Sequence, residues 1–361
     1  MRKTKITLLA IMLIISVLAS AQEKETKNEW IPKVSGFAQI RYDANFNKDF
    51  ELNNNTFFLQ RVCVNFDGKI VDKLTYRVGG DFVRRPALTD AYLKYTICDA
   101  FFVQAGQMKI PYTIENQFNP AFDCELFDYA TVIKQFAGYE GGITGIGALG
   151  RDIGIQVGGK LFETENGKGE KFGIIEYKIG VFNGNGINNK DNDNSKDVIG
   201  RLDIHPWIKE LTISGSYQNG MYFNEVDPEK QGVNNRWSAG IQYKSERIVF
   251  RTEYMGGKTG RIDETDVLNP VNRPFNSNGF YATAGYWFKL GKEGKQKLMP
   301  VIRYERLDKD QSINKGAVSY YTAGIYYLPI KYVNLKLNYQ LVQPETGSNA
   351  HTIVAMLNLR F

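Results

Sequence analysis

The chain has 361 residues, 45 of them basic and 39 acidic, for a net charge of +6, and 13% of it is aromatic. That balance gives no basis for a nucleic-acid partner. Beyond the first 21 residues no run approaches the roughly 20 consecutive apolar residues of a membrane helix, and the mean hydropathy is negative, so a helical membrane protein is excluded.

The first residues read as an address. Arg2, Lys3 and Lys5 precede an apolar run from Ile6 to Leu18, and Ala19-Ser20-Ala21 follows. Basic, apolar, then A-x-A is the signal-peptide layout. Cleavage is expected after Ala21, with residues 22–31 as a short periplasmic lead and residues 32–361 as the folded part. Loss of Arg2, Lys3 and Lys5 lowers the charge from +6 to +3. The three cysteines, Cys63, Cys98 and Cys124, cannot form a fully paired framework in an oxidising compartment and are expected as free or partly buried thiols.

From residue 33 onward apolar residues alternate with polar ones. Phe58, Val62, Val64 and Phe66 share one parity, opposite Arg61, Asn65 and Asp67. Ala91, Leu93, Tyr95 and Ile97 oppose Asp90, Tyr92, Lys94 and Thr96, and Leu335, Leu337, Tyr339 and Leu341 oppose Asn334, Lys336, Asn338 and Gln340. A period of two with one apolar face is the signal of a strand. Such segments fall at 33–44, 56–68, 73–84, 89–97, 100–109, 151–162, 171–183, 196–205, 210–219, 235–244, 247–256, 278–289, 297–306, 318–328, 332–342 and 350–361. An aromatic-rich chain of negative mean hydropathy with an even number of strands predicts an all-β fold, a 16-stranded antiparallel transmembrane β-barrel in the outer membrane.

The connections carry the same message. Barrels of this kind alternate short periplasmic turns with longer outer loops. Most connections follow that phase; the short one near 84–88 and the long turn near 163–170 do not. A soluble double sandwich would show no such phase. The longest connection, 109–150, begins KIPYTIENQFNPAFDCELFDY. Its aromatic residues Phe118, Phe122, Phe127, Tyr129 and Phe136 argue against disorder. It is expected to be the third outer loop, folded inward to narrow the pore.

With the apolar parity facing lipid, the lumen receives Arg61, Arg77, Lys94, Lys178, Arg201, Arg236, Arg251, Arg303, Lys336 and Arg360, together with acids such as Asp67, Asp90, Asp203, Glu253 and Glu305. Many of these form base–acid neighbours that can brace the wall. Selection belongs to the narrowest point, where a few donors act in a focused field. The candidate constriction and anion-binding residues are Lys109, Lys134, Arg41, Arg61 and Arg77. Glu115, Asp123, Glu125 and Asp128 share the loop and would repel an anion unless bases pair with them. Charge reversal at Lys109 is expected to shift selectivity more than reversal at the distal Lys336.

Three motifs carry no chemistry. Gly145–Gly150 matches G-x-G-x-x-G, but an alternating, Gly-rich strand follows it where a nucleotide fold needs a helix. Asp191–Asp197 resembles half a calcium loop with Lys196 where the glycine belongs. His205 and His351 are too far apart in sequence to suggest a metal cluster or a triad. No cofactor and no catalytic constellation is expected.

FFLQRVCVNFDGKI, YRVGGDF, DAYLKYT, FVQAGQMKIPYTIEN and GRDIGIQVGGKLF follow in an order that resembles the phosphate-selective porin O and P family. The resemblance runs from about residue 37 to 182. Gly106–Tyr112 and Arg151–Gly154 are its most specific pieces. It implies a homotrimeric outer-membrane channel with an inward third loop and passive passage of anions, phosphate among them, and it assigns Lys109 to the lysine of the matching stretch. The partners are then outer-membrane lipid, lipopolysaccharide and small solutes or anions in the pore. The competing function is a barrel plugged by its long loop, acting as a structural or surface-binding protein.

Overall fold

The computed structural model describes residues 31–47, 54–85, 87–118, 120–138, 149–191, 194–222, 232–263, 271–291 and 294–361. The expected signal peptide and nearly all of the lead lie outside them, as do Gly145 and Gly147.

Sixteen antiparallel strands form one closed sheet. They are β1 (Lys33–Asn47), β2 (Asn54–Val71), β3 (Leu74–Asp81), β4 (Leu88–Cys98), β5 (Phe101–Lys109), β6 (Arg151–Glu165), β7 (Lys171–Phe182) and β8 (Asp197–Ile204). Then come β9 (Leu211–Asn219, continued by Met221–Tyr222), β10 (Gly232–Lys244), β11 (Ile248–Asp263) and β12 (Val271–Tyr286, continued by Phe288–Leu290). The last four are β13 (Gln296–Asp308), β14 (Val318–Ile330), β15 (Val333–Pro344) and β16 (Ala350–Arg360). Each strand pairs with its sequence neighbour. β16 closes on β1 from Phe37↔Arg360 to Asn47↔Ala350, and Gly36 and Phe361 exchange backbone hydrogen bonds at 3.0 Å beside the seam. Closure leaves no sheet edge, which a bilayer demands because lipid cannot satisfy a backbone donor or acceptor.

The apolar parity faces out. Leu93, Tyr95, Ile97, Leu335, Leu337 and Tyr339 are exposed on the outer wall, and so are Ile155, Leu202, Tyr217, Phe250, Tyr254, Ile302 and Tyr321. So continuous an apolar girdle is stable only against hydrocarbon.

Three features depart from the sequence reading. The turn near 163–170 is not long, because β6 runs on to Glu165 and only Asn166–Glu170 connects it to β7. The loop expected at 257–277 is mostly hairpin, with pairing extending from Gly257↔Ser277 to Asp263↔Val271. Phe58 does not share the face of Val62. The register slips so that Gln39 faces Arg61 while Ile40 faces Leu59. Gln60 is therefore an extra residue, a bulge that inverts parity. Phe57 and Leu59 point to lipid, whereas Phe58 lies 5.4 Å beneath the Arg41 guanidinium.

All three cysteines are free. Asp191 forms an ion pair with Lys196, so the apparent calcium loop closes on its own lysine. Leu149 and Gly150, both with positive φ (49° and 66°), turn the chain into β6.

Candidate pore constriction

The segment after β5 enters the lumen as two short helices, α1 (Ile114–Phe118) and α2 (Thr131–Phe136), with a 3-10 turn at Ala121–Asp123 between them. Thr113 opens α1, its Oγ1 accepting from the Asn116 backbone N–H at 3.3 Å, and Pro120 follows its end. α2 begins after Ala130 with no side-chain cap of its own. Carboxylates from the wall serve both helices. Glu253 on β11 accepts from the N–H groups of Ile114 and Glu115 at 2.6 and 3.3 Å. Glu305 on β13 accepts from those of Thr131 and Val132. A strand-borne anion at each helix start satisfies donors the segment could not satisfy itself.

Wall cations hold the carbonyls. Lys336 donates to the Cys124 and Leu126 oxygens at 2.6 and 3.2 Å, Arg303 to the Asp128 oxygen at 3.0 Å, and Arg236 to the Phe136 oxygen. The segment crosses the lumen: Asp128 lies 3.6 Å from Arg61 on β2, while Phe136 binds β10, eight strands away. Lys336 is therefore not distal, as the sequence reading had it, but directly under the segment. The root is also tied. Asn116 donates to the oxygens of Ile110 and Gly150 at 3.3 and 3.1 Å, and the Glu115 carboxylate accepts from the Ala130 N–H at 2.9 Å.

Apolar side chains complete the seat. Tyr112, Tyr129, Val132, Ile133 and Phe136 are buried with Ile199, Met255, Tyr281 and Leu307 of the wall. These wall residues break the rule that lumen positions are polar. The signal was present in the sequence, because Ile199 shares the parity of Arg201 and Asp203, Met255 that of Arg251 and Glu253, and Leu307 that of Arg303 and Glu305. Gly279 and Gly240 make room for the close approach. A Cβ on Gly279 would lie 2.8 Å from a Val132 methyl carbon, and one on Gly240 3.0 Å from the Ile114 Cδ1.

The five candidate residues divide. Arg41, Arg61 and Lys134 gather about Phe127 and Asp128. Lys134 Nζ is 3.1 Å from Asp128 Oδ2, and Arg41 lies 4.5 Å over the Phe127 ring while bonded to Asp43 at 2.5 and 2.7 Å. Burial raises the Asp128 carboxyl, but Lys134, Arg61 and Arg41 together bring it well below the usual carboxylate range. Lys109 stands apart at the root, donating to the Asn116 oxygen at 2.6 Å. Arg77 pairs with Asp67 on the neighbouring strand at 2.7 and 3.1 Å.

The acids of the segment have partners. Arg251, fully buried, reaches Glu125 twice at 3.1 Å and Glu115 at 3.3 Å. Asp123 receives Arg360 at 2.8 Å. Sequence parity placed Arg251, Arg303, Lys336 and Arg360 in the lumen but gave them no role in holding the loop. Their partners are loop atoms more than 100 residues away in the chain, beyond any local pattern.

A closed 16-stranded barrel with an apolar outer girdle and a charged lumen defines the class: an outer-membrane β-barrel of porin fold. Residues 34–166 match the model of the family described as phosphate-selective porin O and P. Among solved structures the chain is similar to OmpF of Salmonella typhi in complex with daunomycin, at 14% identity and TM-score 0.65, covering 94% of this chain and 100% of that one. It is similar also to an anion-selective porin from Comamonas acidovorans, at 11% identity and TM-score 0.62, covering 91% and 99%. The trimer form of Vibrio cholerae OmpT matches at 12% identity and TM-score 0.57, covering 92% and 100%. A search of curated proteins finds no match.

Proposed function

We propose that the protein is a passive outer-membrane diffusion channel for small hydrophilic solutes that prefers anions, phosphate among them, and that it works as a homotrimer in contact with lipid and lipopolysaccharide. The observation that carries the anion preference is the neutralisation of the loop acids. Asp123, Glu115, Glu125 and Asp128 would repel an anion if bare, but Arg360, Arg251, Arg61 and Lys134 hold them. With those pairs made, the loop acids add no net negative charge at the narrowing. The constriction is the 109–150 loop, with Lys109, Lys134, Arg41, Arg61 and Arg77 as the residues that tune it. Such tuning is electrostatic and needs no covalent step.

The test is conductance of the purified protein in a planar bilayer, with the reversal potential read in a salt gradient. An anion-selective value is expected, and a cation-selective one overturns the preference. Lys109→Glu is expected to move the reversal potential toward cations more than Lys94→Glu, since Lys94 lies over the Phe102 ring near the short-turn end. Equal shifts would remove Lys109 from the constriction.

A second reading has its own support. The loop is fastened to strands on opposite sides of the lumen, as a plug would be. Folded trimers that yield no conducting steps would favour a plugged barrel that serves as a structural or surface-binding protein.

A further inference from the structure

On the short-turn side, the underside of the loop and the barrel wall border an open cavity of about 510 Å3, within the range of about 300–1,000 Å3 usual for small-molecule sites. Its lining is of two kinds. Phe118, on the loop, and Trp287, on the wall, are half-buried and line it; Arg201 lies 5.0 Å over the Phe118 ring, and Trp287 meets Tyr326 edge-on. Around them stand Lys244, Lys295, Lys297, Lys331 and Arg360, against only two acids, Asp123 and Glu125. Those acids are committed: Asp123 to Arg360 at 2.8 Å, and Glu125 to Arg251 at 3.1 Å and Lys244 at 3.6 Å. Lys297 and Lys331 have no carboxylate ion-pair partner among the described residues and border the same space.

A purely electrostatic funnel would need no aromatic faces, and an apolar pocket would not be ringed with lysines. We propose that this vestibule is a binding subsite for small organic anions that carry a flat ring: the ring stacks against Trp287 and Phe118, and the phosphate or carboxylate is met by Lys297 and Lys331. A ring face gains from stacking and from the cations beside it, while ammonium groups replace water around the anionic end. The inference extends the anion-preferring reading by naming the solute class. It concerns binding, not conduction, so the two fail separately.

The experiment is isothermal titration calorimetry of the full, folded protein in detergent, against a detergent-matched blank, with phenyl phosphate, inorganic phosphate and benzyl alcohol as probes. Phenyl phosphate is expected to bind at least tenfold more tightly than either of the others. Trp287→Ala and the double variant Lys297→Glu/Lys331→Glu are each expected to weaken it about tenfold or more, while Trp207→Ala, at an exposed turn, leaves it unchanged. Because Trp287 also packs on Tyr326 at 5.0 Å, the lysine pair and the wild-type probe ratio decide if that variant misfolds. Equal binding of inorganic phosphate, equal binding of benzyl alcohol, no binding of phenyl phosphate, or indifference to the lysine reversals would each overturn the proposal. A protein that binds phenyl phosphate but conducts no ions would keep this inference and end the channel reading.

Discussion

Single side chains of the wall decide where the loop lies. Glu253 and Glu305 supply the acceptors that α1 and α2 lack, and Arg251 joins two loop glutamates that would otherwise repel each other. A buried helix start stripped of its acceptor leaves unsatisfied donors, at roughly 1–3 kcal/mol for a charged partner. Glu305→Ala, which removes the acceptor, is accordingly expected to speed protease cleavage near α2 while the barrel keeps its heat resistance; unchanged cleavage would deny Glu305 that role. Protonation offers a second handle. Burial pushes the Glu115 carboxyl up to about 7, against the pull of Arg251 and Arg303. A group raised on docking holds its proton more tightly docked than released. Its contribution to docking is therefore full below the ordinary carboxyl range and is lost as pH rises through about 7. The Asp128 carboxyl, held low, contributes above the ordinary range and is lost only in strong acid. Glu115 changes between pH 5 and 8, so its own share of the loop's protease protection, read as the difference between wild type and Glu115→Gln, is expected to weaken as pH rises across that window. Glu115→Gln is expected to flatten the profile.

Strands and helices meet by shape as well as by charge. β11 and β13 each place an apolar residue one inward step beyond a base–acid pair, so a charged rung and a greasy rung face the same loop, and β8 has the same grouping. Gly279 leaves α2 room to reach the wall. Gly279→Val is expected to push Val132 off the wall into the lumen and to lower the open-channel conductance measurably, with the barrel intact in circular dichroism. A conductance equal to wild type would mean that α2 does not limit the path. The paired bases and acids of the wall were legible from parity, as at Arg201–Asp203 and Arg303–Glu305. The bulge at Gln60 was not, because one inserted residue changes no composition and leaves each half of β2 alternating correctly by itself.

For the molecule as a whole, closure and narrowing are separate tasks. The β1–β16 seam and the ladders between neighbouring strands make the barrel, while the 110–137 segment fills part of it. Deleting residues 113–136 with a short polar bridge is expected to leave a heat-resistant barrel and to raise single-channel conductance at least twofold. Collapse of the barrel would show that the loop is part of the fold, and an unchanged conductance would clear it from the path. The sequence by itself determined the strand number, the lipid-facing parity, the lumen charges and the identity of the long loop. All of these follow from the two-residue period of a strand and from the length of its connections, which are local properties. Only the tertiary structure decided that Lys336 lies beneath the loop, that Arg251 joins Glu115 to Glu125, and that Arg41, Arg61 and Lys134 meet at Asp128 while Lys109 and Arg77 do not. Those contacts form when the sheet closes and brings distant strands to one lumen, and no periodicity along the chain records which residues then face each other.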